Sequence, residues 1–88
     1  MKVSAEIVLP NENGLHARPA TKFVETASRY ASEITLAKDS TVVDGKSVIE
    51  ILTLAAEQGT HLVITADGED AQEAVETLAR LIESGFKD

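Results

Sequence analysis

The stretch EDAQEAVETLARLIESGF, Glu69 to Phe86, constrains the fold more than any other part of the chain. Ala71, Ala74, Val75, Leu78, Leu81 and Ile82 recur in steps of three and four and draw a single apolar stripe along a helix. Glu69, Asp70 and Glu73 stand at its start, where the helix dipole favours negative charge. Gly85 followed by Phe86 reads as a left-handed cap with a hydrophobic clasp. A helix with one apolar stripe is covered from one side only, so the remaining chain has to supply an apolar surface to lay against it.

Short alternating segments supply that surface. Val3 to Leu9, Ser32 to Lys38, Ser40 to Asp44 and His61 to Asp67 read as four strands, with Ile34 and Leu36 on one face of the second. Ala20, Phe23, Val24, Ala27 and Ala31 recur at helical spacing, predicting a helix from about Ala17 to Tyr30, fed by the turn at Asn13-Gly14. SVIEILTLAAEQG predicts a second, shorter helix from Val48 to Glu57, stopped by Gly59. The order β-α-β-β-α-β-α, with one apolar face per strand and one stripe per helix, predicts an α+β fold. It is a two-layer open-faced sandwich: a four-stranded, mainly antiparallel sheet with three helices on one face, one domain over residues 1–88. Only Phe23, Tyr30 and Phe86 are aromatic, so the core is expected to be aliphatic.

Charge and residue types exclude several functions. A net charge of -7 repels phosphate backbones and anionic lipid, so neither nucleic acid nor a membrane surface is expected as a general partner. With no cysteine, disulfides, thiolate metal sites and cysteine nucleophiles are all absent. No apolar run is long enough to span a membrane, and MKVSAEIVLP turns acidic too soon for a signal peptide; a cytoplasmic protein is expected. His16 and His61 lack the spacing of a metal site, so no metal and no cofactor are expected. His61 reads as a solvated residue at a strand start, and the acidic residues from Glu69 to Glu76 as a solvated helix face.

His16 carries the chemistry. A histidine at a helix start is commonly a solvated surface group, and Pro19 fits the first helical turn for structural reasons alone. The combination GLHARP supports a second reading. With His16 as N-cap, the amides of Ala17 and Arg18 point outward near the ring, at the end of a helix that attracts anions. A neutral ring there keeps a nitrogen lone pair for attack, and Arg18 can hydrogen-bond a phosphoryl group held on the ring.

GLHARPAT (Gly14 to Thr21) resembles the active-site signature of the HPr family, the histidine-containing phosphocarriers of the bacterial phosphoenolpyruvate:sugar phosphotransferase system. KSVIEILTLAAEQGT (Lys46 to Thr60) resembles the regulatory-serine segment of the same family, and the ending LIESGFKD is similar to its nitrogen-branch paralogue, NPr. The resemblance implies that His16 accepts a phosphoryl group on Nδ1 from phosphorylated enzyme I and passes it to enzyme IIA proteins. Arg18 and the amides of Ala17 and Arg18 would hold the phosphate. It implies a stoichiometric carrier, not an enzyme that turns over alone, and nothing in the sequence points to a form other than a monomer.

Ser47 has a sufficient structural reason, since Ser47-Val48-Ile49-Glu50 is an S-x-x-E capping box. The resemblance adds another: the matching serine is phosphorylated by a dedicated kinase in some members, which would make the chain a serine-phosphorylated regulatory binding protein, with a kinase and phosphatase as partners. Ile51, Leu54 and Ala55 can face the core, whereas Val48, Ile49 and Leu52 have no obvious place in it. The resemblance makes those three a docking patch for enzyme I and enzymes IIA. Glu50 departs from the sugar-branch pattern, in which this position is often basic or neutral.

Overall fold

The computed structural model describes residues 1–87. In chain order the elements are β1 (Lys2–Val8), α1 (Ala17–Ala27), β2 (Glu33–Lys38), β3 (Thr41–Asp44), α2 (Val48–Thr53), β4 (His61–Asp67) and α3 (Ala71–Glu83). The strands form one sheet in the order β1-β4-β2-β3, every neighbouring pair antiparallel. β4 sits between β1 and β2, pairing Leu62 with Ile7 on one side and Ile64 with Leu36 on the other. This register puts Ile7, Ile34, Leu36, Val43, Leu62, Ile64 and Ala66 on one buried face. The three helices cover that face, as the element order predicts, and the opposite face is open.

The α3 stripe closes the sandwich. All six of its predicted core residues are buried. Its end is built as the sequence suggests: the Gly85 amide donates to the Ile82 carbonyl and the Phe86 amide to that of Leu81, with Phe86 buried beneath. Phe23 of α1 is fully buried among these aliphatic groups, and cutting such a side chain to alanine costs about 3–5 kcal/mol.

Four expectations need correction. α1 ends at Ala27, not Tyr30. The apolar spacing continues to Ala31, but the amides of Ala31 and Ser32 donate to the Asp70 carboxylate and cannot take part in a helix. Asp70 therefore does not cap α3 with its side chain; it ties the start of that helix to the start of β2. α2 ends at Thr53, well short of Glu57. Ala55 turns left-handed and exposed, and the Leu54 and Ala56 carbonyls accept instead from the Lys38 ammonium and the Leu15 amide. Ala56, not Ala55, fills the core there. Gly59 stops nothing; it lies in the turn before β4 and donates its amide to the Leu9 carbonyl.

Candidate functional site

The histidine loop is fixed at several points. Gly14 has φ +72, and its amide donates to the Asn11 carbonyl while the Asn11 side-chain amide donates back to its own. A Cβ at this position would lie 2.4 Å from the Ala56 carbonyl oxygen, so only glycine fits. The next residue, Leu15, is buried and donates its amide to that same carbonyl at 2.9 Å. The segment after α2 is thus the template on which the loop before α1 is laid.

His16 emerges from this turn as the N-cap of α1, in extended conformation, with its carbonyl accepting from the Ala20 amide. Its imidazole makes no capping hydrogen bond and is exposed. Helix geometry leaves the amides of Ala17 and Arg18 without an intrahelical acceptor, and Pro19 at the third position has no N–H. The first turn therefore presents two amides beside an uncommitted ring. Arg18 is exposed, while Pro19 and Ala20 are buried and anchor the turn from beneath.

His16 and Arg18 line two adjoining clefts. The first, about 460 Å³, is closed by Asn11, Glu12, Asn13, Pro19, Lys22, Gly85 and Phe86; the second is bounded by Ala17, Thr21, Lys22 and Glu25. The turn after α3 reaches this site, and the Lys22 ammonium donates to the Phe86 carbonyl at 2.9 Å. Sequence reasoning missed Lys22 and Phe86. The first has a signal, since four residues separate it from Arg18 on one helical face. The second has none, because only the tertiary fold carries residue 86 to residue 22. Among the described residues no group of acidic, histidine or cysteine side chains could hold a metal ion. No helix is long and apolar enough to cross a membrane.

Ser47 caps α2, its hydroxyl accepting from the Glu50 amide at 3.2 Å. The capping box is only half made. The Glu50 carboxylate accepts from the Asp44 amide at 3.0 Å rather than from Ser47, whose amide goes to the Asp44 carbonyl. On the same short helix Ile49 is 77% exposed and Leu52 39%, while Val48 is half-buried against the core, a place the sequence did not suggest. α2 packs against α1, which puts the exposed aliphatic pair on the element next to the one carrying His16 and Arg18. His61 is exposed at the start of β4, 3.9 Å from the Glu6 carboxylate.

A family model described as "PTS HPr component phosphorylation site" matches residues 3–84. "Phosphocarrier protein HPr" of Borreliella burgdorferi is 46% identical over 86 residues, 98% of this chain and 99% of that protein. "HPr-like protein Crh" of Bacillus subtilis is 40% identical over 81 residues, 92% of this chain and 95% of that protein. The crystal structure of HPr-C-His from Thermoanaerobacter tengcongensis superimposes with a TM-score of 0.93 at 42% identity, covering 98% of this chain and 97% of that one.

Proposed function

The chain belongs to the HPr family of phosphocarriers of the phosphotransferase system, and on that premise we propose that His16 is the residue that carries the phosphoryl group. It takes that group from phosphorylated enzyme I and hands it to enzyme IIA proteins in the cytoplasm. One observation bears most of the weight: an uncommitted, exposed imidazole stands at a helix N-cap, with the Arg18 guanidinium lining the same clefts.

The lone pair of His16 Nδ1 attacks the phosphorus held on the donor. The donor's bond to phosphorus breaks, and the donor keeps that electron pair. The new P–N bond leaves negative charge on the phosphoryl oxygens at the positive end of α1. The amides of Ala17 and Arg18 and the Arg18 guanidinium can meet that charge without rearranging the backbone. Passing the group on repeats the step in reverse, with the acceptor as nucleophile. Each copy takes one phosphoryl group and gives up one, so the protein is a carrier and not a catalyst that turns over alone. Every group named comes from one chain, so a monomer suffices.

Ile49 and Leu52 supply the docking surface, with Val48 contributing its exposed part. Their exposure side by side on one short helix packed against α1 supports this role. Ser47 supports a second, regulatory reading, favoured by the likeness to a protein named HPr-like. Its hydroxyl stands at the start of α2, where added phosphate would alter the surface beside Ile49.

Incubation with enzyme I and phosphoenolpyruvate tests the main reading. The chain is expected to take up an acid-labile, base-stable phosphoryl group that His16→Ala abolishes. Equal labelling of the two proteins overturns the assignment.

A further inference from the structure

The imidazole of His16 makes no capping hydrogen bond, so its direction is set by the backbone that leads into α1. The segment after α2 holds that backbone at several places. The Leu9 amide donates to the Thr60 carbonyl, the Gly59 amide to the Leu9 carbonyl, and the Gln58 side-chain amide to the Pro10 carbonyl. Among the described residues, one other side chain bonds the backbone of residues 10–15. It is that of Asn11, whose Nδ2 donates to the Gly14 carbonyl. Asn11 also lines the first cleft beside His16 and Arg18, which Gln58 does not.

The Asn11 bond completes a clamp on one peptide. The unit linking Gly14 to Leu15 has its oxygen held by Asn11 Nδ2 and its N–H held by the Ala56 carbonyl at 2.9 Å. A peptide is planar and rigid, so fixing both of its polar ends fixes its plane. His16 is the next residue along. The Asn11 amide is aimed one way only, because reversing it would set Oδ1 against the Gly14 carbonyl, two acceptors face to face. This orientation leaves Oδ1 buried and without a hydrogen-bond partner among the described residues. A buried acceptor left unpaired lowers stability, and an apolar side chain of the same shape would avoid that loss. Asn11 is thus better suited to directing the peptide than to stabilising the fold.

We propose that Asn11 is a positioning residue for the phosphoryl transfer. By holding the Gly14 carbonyl while Ala56 holds the Leu15 amide, it sets the approach of the His16 imidazole to the incoming phosphorus. The inference rests on His16 being the carrier. Asn11 touches no reacting atom and acts through the peptide two bonds of chain before the ring. Without the clamp the fold survives, since the Ala56 and Gln58 contacts remain, but the ring is no longer aligned with the Ala17 and Arg18 amides.

Asn11→Leu keeps the shape of the side chain and removes both Nδ2 and the unpaired Oδ1. Gln58→Ala is the control, since it frees the Pro10 carbonyl and leaves the clamped peptide alone. Loading by enzyme I and phosphoenolpyruvate is measured against the concentration of each variant, which separates maximal rate from KM. Thermal melts followed by circular dichroism establish that each is folded, and Asn11→Ala replaces Asn11→Leu if the latter is not. The Asn11 variant is expected to lose about tenfold in maximal rate with KM within about twofold of the wild type, the pattern of a misplaced reacting group. Gln58→Ala should load like the wild type. A folded Asn11 variant with an unchanged maximal rate overturns this inference and leaves His16 as carrier, whether or not KM rises. An equal loss of maximal rate in Gln58→Ala also overturns it, since general loosening of the loop would then suffice. A wild-type chain that takes no phosphoryl group overturns both readings.

Discussion

The carboxylate of Asp70 accepts hydrogen bonds from both the amide and the hydroxyl of Ser32, a residue only 1% exposed, and from the amide of Ala31. Gly68 leaves room for this contact, since a Cβ there would lie 2.5 Å from the Ser32 hydroxyl. The Ser32 hydroxyl first, and then the Ala31 amide, hold the Asp70 carboxyl below its ordinary value. A group depressed on folding contributes stability above its unfolded pKa and loses that contribution as pH falls through the folded one. Asp70→Asn should therefore destabilise the protein at neutral pH, and the gap to the wild type should narrow as pH drops below the normal carboxylate range. Urea melts at neutral and acid pH check this. A gap that stays constant with pH would mean that the carboxylate charge contributes nothing.

Gly14→Ala should weaken both fold and function. A left-handed backbone costs an L-residue about 1–2 kcal/mol, and the clash with the Ala56 carbonyl adds to that. The loop must then shift, and His16 moves with it. Urea melts are expected to show a loss of more than about 1 kcal/mol, and phosphoryl uptake should fall further than the melt explains. Normal uptake by a stable Gly14→Ala protein would show that the turn does not set the position of the imidazole.

The element order, the α3 stripe and the Gly85-Phe86 cap were legible because each rests on local spacing or one residue's backbone preference. His16 and Arg18 were legible together for the same reason, being two residues apart. The misjudged helix ends lay where a distant group won the competition for backbone atoms. Asp70 captures the amides of Ala31 and Ser32, and Leu15 and Lys38 engage the carbonyls after α2. Nothing local in residues 28–32 or 54–57 announces those partners. The wall that Gly85 and Phe86 give the cleft is hidden likewise, because contact between the two chain regions exists only once the sandwich has closed.

Ile49 lets the proposed docking role be tested apart from folding. At 77% exposure it adds little to the core, so Ile49→Ser should change stability by less than about 0.5 kcal/mol. On the proposed docking role, the same substitution should weaken binding to enzyme I by about 2 kcal/mol, roughly thirtyfold. Titration calorimetry with enzyme I measures the second effect and a urea melt the first. Unchanged affinity would remove Ile49 from the docking surface.

The half-made capping box gives Ser47 and Glu50 distinct roles that substitution can separate. Ser47 satisfies the Glu50 amide, so Ser47→Ala should cost about 1 kcal/mol, the ordinary value of an N-cap hydroxyl. The Glu50 carboxylate serves the Asp44 amide at the end of β3 instead of returning to Ser47. Glu50→Gln keeps an acceptor there and should change stability by less than Ser47→Ala does. Since each residue bonds a different amide, the double variant should lose about the sum of the two single losses, whereas a complete reciprocal box would couple them. Urea melts of the four proteins in the cycle measure this directly. A coupling energy above about 0.5 kcal/mol would mean that the two side chains act as one cap.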